Sequence, residues 1–341
     1  MKKKISVIIP VRNEGKYVEK CLRSVVNNDY PQELLEVFVV DGMSDDGTRE
    51  KTVPFLKEYP FIHLIDNPEK TVPFALNRGI RHAKGELIIR MDAHADYPEN
   101  YFSALAEWQE RTGADNVGGI LITKPADSSP KARAVALATS SGFGVGNAQY
   151  RLKRIPDKPT EVDTVPFGCY RREIFDEIGM FEEELIRNQD DEFNARLKKH
   201  GGKIVLVPEI HINYYGRENW RKMFRMFYQY GVFKPLVNVK VGAPATLRQF
   251  VPPLFTLYLF FAPLLGFFTP MGLYGFIPFF IYAFLDLFVS LKISVREKSL
   301  TMFFLLPVTF FLIHFAYGLG YLAGIVRILL KKPVKEIKIS R

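Results

Sequence analysis

Four short stretches of the chain concentrate the residue types that do polar chemistry. Pro10-Val11-Arg12-Asn13-Glu14, Asp41-Gly42-Met43-Ser44-Asp45-Asp46-Gly47-Thr48 and Asp92-Ala93-His94-Ala95-Asp96 each follow a run rich in Ile, Val or Leu. Asn188-Gln189-Asp190-Asp191-Glu192 opens a charged segment farther on. Carboxylates grouped in this way can hold a divalent cation against an anionic group, or take a proton from a hydroxyl. The same residue types also make turns and cap helices, so each stretch alone has an ordinary reading. Acidic clusters recurring along one edge of a sheet are harder to assign to turns.

The elements that must position them follow from hydrophobic spacing. Lys4–Pro10 reads as a buried strand, and Val18, Cys21, Leu22, Val25 and Val26 then fall on one helical face. Strands at Leu35–Asp41, Phe61–Asp66 and Glu86–Asp92 alternate with helices at Thr48–Tyr59, Thr71–Ala83 and Pro98–Arg111. This alternation predicts βαβ units and a mostly parallel sheet. Ligands of such sheets bind beyond the carboxyl ends of the strands, where the first three polar stretches lie. Beyond them the pattern predicts a strand at Asn116–Thr123, a mobile Gly- and Ser-rich loop at Ser140–Tyr150, a Gly-bearing turn at Pro166–Arg171, a helix over Arg187–His200 and a strand at Lys203–Pro208.

Composition divides the chain. Its 341 residues are 48% hydrophobic and 24% charged, with a formal net charge of +9. Up to about residue 245 charged and apolar residues mix as in a soluble domain. After it Phe, Leu, Ile, Pro and Tyr dominate. The excess basic residues flank the apolar part, which points to anionic headgroups; no nucleic-acid recognition motif accompanies them. Only Cys21 and Cys169 are present, so neither a disulfide framework nor a zinc site is implied. The basic N-terminus leads into too short an apolar run for a signal peptide, which predicts that the first domain stays on the side of synthesis. Residues 219–236 suit an amphipathic helix, either in the headgroup layer or packed against the domain. Phe250–Phe268, Gly272–Leu291 and Leu300–Val326 approach the ~20 residues that span hydrocarbon. Three crossings from a cytoplasmic domain would put Lys331, Lys332, Lys335 and Lys338 outside, against the positive-inside tendency. The first segment, with Pro252, Pro253 and Pro263, is the candidate for a re-entrant or interfacial one. Asp286 and His314 lie at membrane depth, as functional groups or as partners of each other or of the backbone.

Taken together, Ser6-Val-Ile-Ile-Pro-Val-Arg-Asn-Glu14, Val40-Asp-Gly-Met-Ser-Asp-Asp-Gly-Thr48, Ala75-Leu-Asn-Arg-Gly-Ile80, Met91-Asp-Ala-His94 and Asn188-Gln-Asp-Asp-Glu192 resemble the family 2 glycosyltransferases of the GT-A fold over roughly residues 4–235. Within them the chain is most similar to bacterial exopolysaccharide enzymes of the succinoglycan type. The resemblance implies an α/β GT-A catalytic domain at 1–215. It would be followed by an interfacial helix region at 216–245, a membrane region with two to three helices at 246–330, and a basic tail at 331–341.

It also implies roles. Pro10, Arg12 and Glu14 would shape the nucleoside pocket, Asp41 would contact base or ribose, and Ser44 and Asp46 would form the same loop. Asn77 and Arg78 would lie near the nucleotide or its phosphates. Asp92 opens the motif usually written DxD, which holds Mn²⁺ or Mg²⁺ against the donor diphosphate. Its third position is His94 here, which favours manganese and leaves Asp96 as a second carboxylate. Asp190 matches the catalytic base, with Gln189 in place of the usual preceding glutamate and Asp191 as the alternative base. The expected activity is inverting transfer of a sugar from a nucleotide-diphosphate sugar, UDP-linked, to a polyprenyl-diphosphate-linked saccharide at the inner (plasma) membrane, with the catalytic domain cytoplasmic. A polyprenyl-phosphate acceptor and an inactive membrane scaffold are the alternatives. No stretch after Asp190 matches the QxxRW motif of the processive synthases, so addition of a single sugar is expected.

Overall fold

A computed structural model describes residues 2–146, 148–152, 157–244, 246–268 and 272–331, with the main chain alone for 263–268 and 273. Lys332, Lys335, Lys338 and the rest of the basic tail lie outside the described residues. The chain divides into two compact units. One comprises the chain up to Ile122 and Gln149–Tyr214; the other comprises Thr123–Ala148 and the chain from Tyr215 onward.

The first unit is built on β1 (Ile5–Val11), α1 (Val18–Val26), β2 (Leu35–Asp41), α2 (Thr48–Glu58), β3 (Ile62–Asp66), α3 (Val72–His82) and β4 (Leu87–Arg90). β1 and β2 are buried along their whole length, which is why they read as continuous apolar runs. Strands β3, β2, β1 and β4 pair in parallel, with Ile8 opposite both Phe38 and Arg90. Alternate residues of β1 and β2 feed two cores: Ile5, Val7, Ile9, Leu35, Val37 and Val39 on one face, Ile8, Phe38 and Val40 on the other.

The sheet then changes character. After β5 (Ala95–Asp96), α4 (Tyr101–Thr112) and β6 (Asn116–Lys124), the second unit takes α5 (Pro130–Thr139) and α6 (Gly142–Val145). The first unit resumes with β7 (Thr160–Glu161), β8 (Cys169–Arg171), α7 (Ile174–Glu177), α8 (Gln189–Lys199) and β9 (Ile204–Tyr215). The nine strands form one sheet of order β3-β2-β1-β4-β8-β6-β9-β5, with β7 also on β9. β8 pairs antiparallel with both β4 and β6, and β9 antiparallel with β5 and β7. Residues 166–171, expected as a turn, supply β8. β9 runs past Pro208 because Ile210, Ile212 and Tyr214 alternate inward with Glu209 and His211 outward, the signature of a half-buried strand.

In the second unit α9 (Trp220–Val241), α10 (Val251–Phe268) and α11 (Ile277–Arg296) pack with α5 around α12 (Leu300–Leu329). Asn219 caps α9 by accepting from the Lys222 N–H at 3.0 Å, and Trp220 Nε1 donates to Thr309 Oγ1 at 2.9 Å. Gly231 meets the backbone of Tyr317 and Tyr321 so closely that a Cβ would not fit. α9 packs along α12. Residues 140–150, expected as a mobile loop, include α6. The Phe143 carbonyl accepts from His314 Nε2 at 2.7 Å, and Tyr282 Oη lies 2.9 Å from His314 Nδ1. A carbonyl can only accept, so His314 Nε2 carries the proton. His314 thus bonds backbone and tyrosine, while Asp286 accepts from Ser290 Oγ at 3.2 Å.

Among the described residues two helices are long and apolar enough to cross a bilayer, Tyr274–Arg296 and Leu300–Leu329, each with mean hydropathy 1.9. The first of the three expected segments, Phe250–Phe268, falls on α10 (Val251–Phe268). Phe280, Phe284, Leu287, Phe288 and Val295 stand exposed on α11.

Candidate active site

The carboxyl ends of β1, β2 and β4 carry the site, and each end is shaped by side chains bonding backbone. The β1 and β2 ends lock together. Asn13, in the left-handed region at φ 55°, receives Ser44 Oγ on its N–H at 2.9 Å, and its Oδ1 accepts from the Asp45 N–H at 3.1 Å. Glu14 N–H donates to Thr48 Oγ1 and Gly15 N–H to Asp46 Oδ2, both at 2.9 Å. Asp41 is fully buried; it accepts from Ser44 N–H at 3.1 Å and pairs with Arg49 at 2.8 Å. Arg49 also reaches Asp66 at 2.7 Å. Asp46 sits below the usual carboxylate range: burial raises it, but hydrogen bonds from Thr48 and Gly15 prevail. The loop is held open by its own carboxylates, and Pro10 lies inside β1 opposite Val40.

Asp92 is held from two sides. Its N–H donates to Tyr97 Oη at 2.7 Å and its carbonyl accepts from the same hydroxyl at 3.2 Å. Its carboxylate Oδ1 lies 3.2 Å from Arg90 Nη2. His94 instead turns to Glu14, with Nδ1 3.3 Å from Oε1. Burial opposes a charge on that ring, but the Glu14 hydrogen bond, with Tyr214, Asp92 and Glu14 beside it, raises its pKa. Asp96 pairs with Lys20 at 2.6 Å.

The other carboxylate arrives on α8. Asn188, at φ 60°, turns the chain into the helix, so Asp190, Asp191 and Glu192 occupy its first turn, where the helix dipole favours negative charge. Glu192 is buried and paired with Arg196 at 2.8 Å, and Arg196 Nη2 donates to the Met180 carbonyl at 2.8 Å. That pair fixes the helix. Asp190 remains half-exposed, with Oδ2 3.6 Å from Arg90 Nη1. Desolvation raises its pKa, Arg90 lowers it and Asp191 raises it; the net direction is upward. Arg90 itself is held ionised, since Asp92 and Asp190 outweigh the cost of its burial.

The structure therefore brings Asp92, His94, Glu14 and Asp190 to one place and shows the protein partners of other expected residues. Asn77 Nδ2 donates to the Phe181 carbonyl at 2.8 Å, and its Oδ1 accepts from the Phe181 N–H at 3.0 Å. It is a buried latch on the segment leading to α8. Arg78 makes a bidentate pair with Glu69, and Arg12 donates to the Lys70 carbonyl at 3.1 Å. Sequence reasoning missed Arg90, Tyr97 and Arg49. A charged residue closing the apolar run Leu87-Ile88-Ile89 was the available signal for the first; Tyr97 gave none.

The family model for glycosyl transferase family 2 matches residues 6–179, which span this sheet edge. The chain belongs to that family. It is a glycosyltransferase. A dolichyl N-acetyl-alpha-D-glucosaminyl phosphate 3-beta-D-2,3-diacetamido-2,3-dideoxy-beta-D-glucuronosyltransferase of Methanococcus voltae is 30% identical over 332 residues, 95% of this chain and 97% of that one. The succinoglycan biosynthesis protein ExoA of Rhizobium meliloti (strain 1021) is 29% identical over 72% of this chain and 73% of its own. Among solved structures, the mannosyltransferase PcManGT of Pyrobaculum calidifontis, in complex with GDP-Man and Mn²⁺, superposes with a TM-score of 0.55. That pair is 18% identical and covers 97% of this chain and 88% of that one, so it shows the GT-A-type mixed α/β fold.

Among the described residues no group of three or more His, Cys, Asp or Glu side chains is placed to hold a metal ion unaided. Such a cage is not needed by Mg²⁺, which binds through one or two carboxylates together with substrate phosphates. Asp92, at a strand end with its backbone fixed, fits that partial donor set. His94 fits it once its contact with Glu14 opens.

Proposed function

We propose that this glycosyltransferase moves one sugar, with inversion, from a nucleoside-diphosphate sugar to a lipid-linked saccharide at a membrane, in the assembly of a cell-surface or extracellular polysaccharide. The observation that carries the reading is the convergence of Asp92 and Asp190, distant in sequence, on one guanidinium, within 3.2 and 3.6 Å. This closeness supports reading Asp92 as the donor-side and Asp190 as the acceptor-side carboxylate of one sugar transfer.

Each residue then has a task. The Asp41 loop, with Ser44, Asp46, Pro10 and Glu14 behind it, receives the nucleoside. Asp92, with His94 as second candidate, would hold Mn²⁺ or Mg²⁺, which when bound neutralises the leaving diphosphate. Asp190 takes the proton from the acceptor hydroxyl as it attacks the anomeric carbon from the face opposite the leaving group. One displacement gives a β-linkage from an α-linked donor. The Methanococcus relative, whose name specifies a β-linked transfer to a dolichyl phosphate-linked sugar, supports both stereochemistry and acceptor class. The exposed apolar faces of α11 and α12 support a bilayer as the place of work.

The test is to offer membranes containing the full chain a panel of labelled nucleotide sugars with Mn²⁺ or Mg²⁺ and to extract the lipids. Label in a lipid-linked disaccharide or longer glycan is expected, with a UDP sugar as donor. Label in a lipid monophosphate carrying one sugar would move the acceptor to polyprenyl phosphate. Absence of lipid label from every donor would overturn the reading.

A further inference from the structure

We propose that Arg90 is the positioning residue that sets donor-side Asp92 and acceptor-side Asp190 against each other and makes cation binding at Asp92 depend on the donor. The proposal rests on the glycosyl-transfer reading above.

Arg90 closes a buried strand, and its side chain is only 11% exposed. A guanidinium in that setting needs compensation. It has two anionic partners, one on each terminal nitrogen: Asp92 Oδ1 at 3.2 Å from Nη2 and Asp190 Oδ2 at 3.6 Å from Nη1. One carboxylate would suffice to neutralise it; two, brought from β4's end and from α8, use the fixed geometry of the fork. The Phe167 ring lies 5.8 Å from the guanidinium, and its residue is itself held at φ 47° with its carbonyl bonded by Tyr101 Oη at 2.9 Å. Among the described residues Arg90 Nε, also buried, has no hydrogen-bond partner. A buried donor left unpaired is a cost, so packing alone does not account for this side chain.

Two consequences follow. Asp190 Oδ1 accepts from the Asp191 N–H at 3.1 Å, and without Arg90 its Oδ2 loses the cation it faces, beside a second carboxylate, Asp191. And a divalent cation arriving alone at Asp92 meets a fixed positive charge, so it binds well only with the donor's diphosphate, whose own charge offsets that repulsion.

The full chain in detergent provides the test, with Mn²⁺ alone as the first probe and the productive donor as the second. Arg90→Gln should bind Mn²⁺ about threefold or more tightly than wild type when no nucleotide is present. Its kcat should fall on the order of 10- to 100-fold, the scale of a misplaced reacting group, while the donor KM stays or drops. Arg90→Lys keeps the charge but can reach one carboxylate, so its Mn²⁺ affinity should stay and its kcat should lie between the other two. If Arg90→Gln does not fold, the lysine variant alone carries the test, with a kcat loss of about 10-fold expected. Equal or weaker Mn²⁺ binding by Arg90→Gln, a wild-type kcat in either variant, or a loss confined to a raised donor KM overturns the proposal. A wild-type enzyme silent on every donor would sink the transfer reading instead, and the Mn²⁺ titration would still decide the Arg90–Asp92 pair.

Discussion

Asp190 and Asp191 are adjacent, and at the scale of single residues the contacts distinguish them. Asp190 faces Arg90 at 3.6 Å, and its pKa is raised by desolvation against Arg90's pull, with Asp191 adding to the rise. A base must be unprotonated to act, so activity should climb with pH through a value above the ordinary ~3.9 of aspartate. Asp190→Asn should lower kcat by about 10²- to 10⁴-fold and leave donor binding nearly unchanged. Asp191→Asn should retain most activity and move the acid limb down, because one of the charges raising Asp190 is gone. Initial rates from pH 4 to 8 check both; equal losses in the two variants would place the base elsewhere. The sequence made Asp92 and Asp190 visible because both lie in polar runs that interrupt apolar ones. It could not show the partners these side chains have in the fold: Glu14 for His94, eighty residues earlier, Phe181 for Asn77 and Glu69 for Arg78, because the fold and not the neighbouring residues sets them.

At the scale of elements, the parallel half of the sheet has one joint that the acidic clusters do not share. Glu36, buried at the start of β2, accepts from Ser6 Oγ on β1 and from the N–H groups of Lys84 and Gly85 before β4, and pairs with Lys4 at 3.1 Å. Burial raises its pKa, yet the bonds from Ser6, Lys84 and Lys4 outweigh that and hold it below its ordinary value. The sign follows from linkage. A carboxylate depressed in the folded state stabilises above its unfolded pKa, and the contribution is lost as pH falls through the folded one. Glu36→Gln should therefore cost roughly 1–3 kcal/mol at neutral pH and flatten the acid side of the stability curve. Urea unfolding of the full chain in detergent at pH 7 and pH 4 measures it; an equal deficit at both would refute the assignment. The helices and strands that Glu36 ties together were legible because β1, β2 and β4 are unbroken apolar runs and α1 repeats at helical spacing. The antiparallel half was legible only in β6 and the start of β9, expected at Asn116–Thr123 and Lys203–Pro208. β7 and β5 are two residues long and β8 three, too short to show a period, and β9 changes from a fully buried to an alternating pattern at Pro208. The short α6 was not legible in the Gly- and Ser-rich run of 140–150, and its Phe143 carbonyl finds a partner in His314, far along the chain.

For the whole molecule the open quantity is which way the apolar helices face. Lys292, Arg296 and Lys298 cluster at the α11–α12 turn, and α5 adds Arg133, which pairs with Glu297 in that turn at 3.1 Å. Lys131 on the same helix stands 5.2 Å over the Trp220 ring. Cations gathered at one end of an apolar hairpin favour the cytoplasmic face, where anionic lipid adds about 1 kcal/mol for each. The turn is thus expected on the cytoplasmic side, the side proposed for donor and nucleotide. Ser299→Cys tests this without disturbing the charge, since that side chain makes no cap hydrogen bond to α12. The native thiols do not interfere: Cys21 and Cys169 are both buried, and burial raises the Cys169 pKa to about 12. A membrane-impermeant maleimide should then leave Ser299→Cys unlabelled in intact cells and label it in inverted vesicles. Labelling in intact cells would put the turn outside. The two long helices would then cross as a pair in the opposite sense, with the positive cluster working against the membrane's own charge rule.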